Sequence, residues 1–262
     1  MYAYSRAVRV GDRVFISGST ALKAGGVEGP GDMYRQTRAT TDTILRALAD
    51  AGGVPGDLVF TKTYLTDLAQ SAEYTRAFVE ALGDVRPVST LLGIPALVRP
   101  ELLIEIEAEA VLGAARTRRD IYTQHVREKP RGYARAVAVG DQIYVSGCTS
   151  VSSTGEVQAP GDWARQYDLA IDTIRWALEQ AGASIDDVVR RRTFTVEGTK
   201  QNRAHGEGPA PFAKSHPTSL GCRISGLARP ELVVEVEVTA VRGAGAGIQW
   251  IGPDVADPLD RA

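Results

Sequence analysis

Cysteine is nearly absent from this chain. Only Cys148 and Cys222 occur in 262 residues, too few for a disulfide framework, so both are read as reduced thiols. Charge of one sign is lacking as well. Thirty Lys and Arg against 32 Asp and Glu leave a net charge of −2, no overall footprint for nucleic acid or an anionic membrane. No apolar run approaches the ~18 residues that would span a bilayer. The N-terminus, Met-Tyr-Ala-Tyr-Ser-Arg, has no signal-peptide core, and a cytoplasmic protein is expected. Cys-x-x-Cys and His-x-x-x-His spacings are missing, so no metal site is expected. Gly243-Ala-Gly-Ala-Gly is followed by no helix and is not a dinucleotide fingerprint. What remains, 44% apolar and 24% charged, is ordinary for a globular protein.

What is present is a repeat. Arg-Pro-Glu-Leu-Leu-Ile-Glu-Ile-Glu at 99–107 returns as Arg-Pro-Glu-Leu-Val-Val-Glu-Val-Glu at 229–237, a spacing of 235 − 105 = 130 residues. Both copies alternate. Ile104, Ile106, Ala108 and Ala110 face one way, and Glu105, Glu107 and Glu109 the other, the period of a strand with unlike faces. Val234, Val236 and Val238 repeat the apolar side; Glu235 and Glu237 repeat the acidic side. The chain is a duplicated domain. The expected limits are 1–113 for the first domain, 114–120 for a linker, 121–243 for the second domain and 244–262 for a tail.

Within each copy the order of signals is the same. Tyr4 to Gly18 and Tyr133 to Gly147 read as hairpins turning at Gly-Asp. A glycine-rich loop follows and ends in Pro-Gly-Asp, where Asp32 and Asp162 suit helix N-caps. The helices carry Ile44, Leu45 and Leu48, or Ile171, Ile174 and Leu178, and stop at Ala-Gly. Strands are expected at 58–65 and 188–196, and a second helix near 69–82 with Tyr74, Phe78 and Leu82 on one face. In copy two, Gly206, Gly208, Pro209 and Pro211 break that helix. The linker arginines Arg116, Arg118 and Arg119 read as solvated, and Ile121 to Val126 as an extra edge strand. Each copy is β-β-α-β-α-β-β, an α+β layer with helices on one face of a mixed sheet.

Tyr-Ser-Arg-Ala-Val, Phe-Ile-Ser-Gly, Gly-Ala-Ser-Ile-Asp-Asp-Val-Val (182–189) and the Glu-Ile-Glu strand, in that order, resemble the RidA/YjgF family of reactive-intermediate deaminases. The resemblance covers both copies. It implies two tandem chorismate-mutase-like domains, a trimeric barrel assembly with clefts between neighbouring domains, a small-molecule substrate and no cofactor. It also places the family's pocket tyrosine on Tyr4 and Tyr133, its serine-glycine on Ser17-Gly18 and Ser146-Gly147, and its water-orienting glutamate on Glu105 and Glu235. A carboxylate in a partly desolvated cleft suits proton transfer; the competing reading of the glutamate row is a solvated sheet face.

One departure stands out. The family's substrate-clamping arginine falls on Ser89 and Ser219, so neither copy has the bidentate fork for a carboxylate, and a 2-imino acid is expected to bind poorly. Arg223, Arg99 or Arg229 could substitute from another direction, though an arginine before proline is also an ordinary turn residue. Cys148 and Cys222 could approach one cleft, with His205, His216 and Asn202 nearby; buried inert cysteine is the alternative. Three function classes follow: a hydrolase or deaminase-like enzyme acting on a reactive imine, enamine or carbonyl metabolite, a chorismatase-like or tailoring enzyme, and a non-catalytic small-ligand-binding trimer. No basic groove or paired-histidine site supports endoribonuclease chemistry in the sequence. Three chains, with six domains, could close two trimeric rings, and a homotrimer is expected.

Overall fold

Alternation in the two glutamate-bearing strands fixes which side of each sheet takes the helices. The structure, a computed structural model, describes residues 4–201, 211–249 and 251. In the first domain β1 (Ala7–Val10) and β2 (Arg13–Ser19) pair through a turn at Gly11, where φ is 61°. Two short strands, β3 (Leu22–Lys23) and β4 (Gly26–Val27), clip the following loop. Helix α1 (Met33–Asp50) begins where the Asp32 side chain accepts the Arg35 N–H. Then come β5 (Leu58–Leu65), α2 (Ser71–Leu82), β6 (Val88–Gly93) and β7 (Ile104–Val111). The sheet runs β1-β2-β7-β5-β6, antiparallel except for the β5–β6 pair. Ile104, Ile106, Ala108 and Ala110 pack with Ile44, Leu48, Tyr74, Phe78 and Leu82 in one core.

The second domain repeats this plan with an added edge. After a helical turn α3 (Ala114–Thr117), strand β8 (Arg119–Ile121) joins β9 (Ala136–Val139) and β10 (Gln142–Cys148). Helix α4 (Trp163–Gln180), capped by Asp162, precedes β11 (Val188–Val196), β12 (Thr218–Ile224) and β13 (Val234–Val241). The order is β12-β11-β13-β10-β9-β8. Among the described residues no helix lies between β11 and β12, consistent with the glycines and prolines there. His205 and Asn202 lie outside the described residues.

Two linker expectations need correction. The extra edge strand is 119–121, and only Ile121 of the expected stretch belongs to it. Arg118 is not solvated: its side chain is 8% exposed, pairs with Asp120 at 2.7 Å and donates to the carbonyls of Leu58 and Arg86. It straps the connection onto domain one, because a guanidinium has enough donors to satisfy several turn carbonyls at once.

The helix-free face of the first sheet packs on the second domain. Val59, Phe60 and Val88 share a core with Ala134, Val137 and Tyr144. Polar bolts fix the register. The Ser89 N–H donates to Ser146 Oγ (2.9 Å), Gly147 N–H to Thr90 Oγ1 (3.2 Å) and Gly93 N–H to the Gly226 carbonyl (2.9 Å). Lys62, buried from domain one, meets Glu237 at 2.7 Å, which also takes Arg192 at 2.6 Å and the Thr90 hydroxyl at 2.6 Å. A pair so enclosed stands only because every charge in it is answered.

Candidate active site

The Ser-Gly pairs and the glutamates meet through a local irregularity. Val145 pairs with Val238 and Cys148 with Val236, so Ser146 and Gly147 together oppose Glu237, a β-bulge; Ser17 and Gly18 do the same against Glu107. The bulge lays each glycine under the glutamate two residues before that partner. A Cβ on Gly147 would collide with Glu235 Oε1, and one on Gly18 with Glu105 Oε1. Only glycine lets the carboxyl group rest there.

The two glutamates differ in surroundings. Glu105 is half-buried, and its pKa is raised by desolvation first and by Glu107 second. Glu235 is 7% exposed because domain one covers it, and burial, with Glu237 beside it, pushes its pKa up to about 8 against the pull of Arg135 and Lys62. Among the described residues no hydrogen bond reaches its carboxyl group. It lines a cavity of about 230 Å³ between the domains, with Tyr74, Ser89 and Leu91 from domain one and His125, Tyr133 and Gly147 from domain two.

Arg135 builds the wall behind this carboxyl. Its Nε pairs with the buried Glu128 at 3.0 Å, Nη1 donates to the Gly147 carbonyl at 2.9 Å and lies 3.4 Å from Cys148 Sγ, and its plane lies over the Tyr133 ring. Glu128 is held in turn by Thr123, through its N–H and its hydroxyl. In domain one Arg6 reaches the Gly18 carbonyl at 2.9 Å and lies over Tyr4, but forms no ion pair among the described residues. Tyr4 is 61% exposed. The same framework therefore exists twice, enclosed once.

The other predicted site residues divide. Ser146 is fully buried, donating to the Ala134 carbonyl at 2.6 Å while accepting from Ser89, so the glycine beside it, not its hydroxyl, faces the cavity. Ser17 likewise donates to the Ser5 carbonyl. Cys148 is buried, its thiol pushed up by desolvation. Cys222 is exposed on β12, three strands away, or about 14 Å at ~4.8 Å per strand. The cysteines do not share a cleft. Cys222 and Arg223 line a second cavity of about 260 Å³ with Lys62 and Glu107, and Arg223 is spent on the carbonyls of Val196 and Thr199. Ser219 is exposed and accepts from Arg191 at 2.7 Å, so a guanidinium does reach that serine.

The clamp position at Ser89 offers no cation, yet Arg127, Arg131, Arg135 and Arg229 all line the inter-domain cavity. Arg229 was among the candidate substitutes; of the other three, spaced four apart, Arg127 and Arg131 lie between the expected edge strand and the hairpin, and Arg135 lies in the hairpin. Arg127 and Arg229 both donate to the Gly155 carbonyl, and Arg229 also lies 3.4 Å from Glu231. A net charge of −2 conceals this, because it averages over the whole surface. Burial and the neighbouring Arg135 lower the pKa of His125, which favours a neutral imidazole. No group of three or more metal-ligating side chains occurs among the described residues.

The family model described as Endoribonuclease L-PSP matches residues 1–112 and again 126–242. An uncharacterized protein of Streptomyces coelicolor is 34% identical over 113 residues, 43% of this chain and 84% of that protein. A RutC family protein of Pyrococcus abyssi is 31% identical over 126 residues, 47% of this chain and 95% of its own. Among solved structures, a Mycobacterium tuberculosis member of the YjgF/YER057c/UK114 family is 38% identical with a TM-score of 0.38, covering 42% of this chain and 86% of that one. Each of these three relatives spans about one half of the chain.

Proposed function

Because the chain belongs to the Endoribonuclease L-PSP family, the YjgF/RidA family, with one family domain in each half, we propose that its inter-domain cleft hydrolyses a small reactive imine or enamine, or carries out a related acid–base step on a carbonyl metabolite. The observation that carries this reading is Glu235, enclosed between the domains with a pKa near 8 and no hydrogen-bond partner among the described residues. At neutral pH it is a carboxylic acid. It protonates the imine nitrogen; water adds to the electrophilic carbon; the carboxylate takes one proton from the added water and passes it to the departing nitrogen, then takes the second from the hydroxyl as the C–N bond breaks and the carbonyl forms. The products are a carbonyl compound and ammonia, with no redox change and the acid regenerated.

The cavity of about 230 Å³ has room for one small metabolite. In assembly, β12 of domain two and the β1–β2 face of domain one, with Val10 64% and Phe15 39% exposed, correspond to the two surfaces already joined inside the chain. We read them as the contacts of a homo-oligomer, a homotrimer by the expectation above; sedimentation that returns a monomer overturns this part. For the chemistry, ammonia release from freshly generated 2-iminopropionate or 2-iminobutyrate is the test. Release above the uncatalysed rate that is lost in Glu235→Gln is expected, and equal rates for parent and variant refute the proposal.

A further inference from the structure

Four guanidiniums line one small cavity, and the carboxylates near them do not balance the count. Arg135 is matched by Glu128 at 3.0 Å and Arg229 by Glu231 at 3.4 Å. Arg127 donates only to the Gly155 carbonyl, which is neutral, and to no carboxylate among the described residues. Arg131, exposed at the mouth, has no side-chain hydrogen bond or ion pair among the described residues. Among the described residues, four charges less two leave two unanswered, and Glu235 is the sole carboxyl group lining the cavity. The like charges are close enough to be felt: burial, then Arg127, lower the pKa of Arg131, and Arg229 adds to the effect.

Guanidiniums crowded without counter-charges cost stability until an anion arrives, and planar forks at a cleft mouth match carboxylate and phosphate oxygens. We propose that the ligand of this cleft is a small dianion, one anionic group answering Arg127 and Arg131 at the mouth while the rest of the molecule reaches inward toward Glu235. This deepens the proposed function by naming its substrate class, and it rests on the same cavity. Neither arginine stands at the clamp position occupied by Ser89, so the site would grip its ligand from the domain-two side. The dianion is a dicarboxylate or a phosphate monoester; the shared chemistry is two negative charges on a molecule of a few heavy atoms.

Calorimetric titration of the full chain with succinate, inorganic phosphate and propionate at pH 7 tests this. Saturable binding of succinate or phosphate at least tenfold tighter than propionate is expected, and whichever dianion binds identifies the anionic group. Arg131→Ala should weaken that binding tenfold or more, with Arg131→Lys intermediate; Arg131 is exposed and its side chain makes no hydrogen bond or ion pair among the described residues, so the fold survives both. Equal affinity for monoanion and dianions, or unchanged dianion binding in Arg131→Ala, overturns the inference. The two proposals fail separately. In the parent protein, dianion binding without ammonia release faults the chemistry only, whereas ammonia release in a protein that ignores dianions faults the dianion only; in Glu235→Gln, binding should persist while ammonia release is lost.

Discussion

Replacing Glu235 by glutamine should change how stability depends on pH, and the size of the effect can be worked out. In the folded protein the carboxyl keeps its proton up to about pH 8, against an ordinary value of 4.5. Between those values the folded state binds more protons than the unfolded chain, so stability falls as pH rises and levels off above the folded value. The stabilising contribution is complete below about pH 4.5 and gone above about pH 8. Each pKa unit is worth about 1.36 kcal/mol, so a difference of about 3.5 units amounts to at most about 5 kcal/mol. Glutamine has the same shape, cannot ionise and removes this dependence. Urea denaturation from pH 5 to 9 is the assay. Parent and variant should match near pH 5, and the variant should be the more stable at pH 9 by several kcal/mol. Parallel curves across that range would refute the claim that Glu235 is held protonated by burial.

Other perturbations test the surrounding framework. Gly147→Ala places a methyl group on Glu235 Oε1 and should cost about 1–3 kcal/mol as overpacking; turnover, followed by ammonia release, should fall at least tenfold. Ser146→Ala removes the acceptor for the Ser89 N–H at the domain interface, a loss of about 1–3 kcal/mol read as a lower melting temperature. Lys62→Met leaves Glu237 short of one buried cation and should destabilise the chain by about 3 kcal/mol, whereas Arg76→Ala, on an exposed pair, should change it by less than 1 kcal/mol. If protonated Glu235 is the acid, the rate should decline as pH rises through about 8. A stopped-flow pH profile flat to pH 10 would count against that role.

Elements whose signals are local were legible in the sequence. Asp32 and Asp162 cap where their position after Gly predicted, and the alternation in β7 and β13 sorted Ile104 and Val234 to the helices and the glutamates to the other face. Long-range placement was not. Nothing in the spacing of Glu235 and Glu237 says that a second sheet will close over them, so a solvated face remained a fair alternative reading. The arginines were hidden for a related reason. Arg127, Arg131 and Arg135 sit in a loop, a short helical turn and the approach to a strand, so no single element gathers them onto one surface. A distinctive signal did exist: three arginines at four-residue intervals, the last two flanking Tyr133.

That asymmetry shows what fusing the copies accomplishes. Glu105 and Glu235 share a strand position, a glycine beneath and an arginine behind, so the residues themselves do not distinguish them. Their environments do. Glu235 is desolvated by a neighbouring domain of the same chain, and its arginine is neutralised by Glu128, from the segment that joins the copies. Glu128 thereby frees the cleft's outer arginines to meet something other than the protein. The joining segment is thus part of the site, supplying His125, Arg127, Glu128 and Arg131, and a chain cut there would lose the cleft even with both domains folded. Within one chain, chemical identity is duplicated, while burial and charge balance, which set the protonation of the working carboxyl, belong to the second copy.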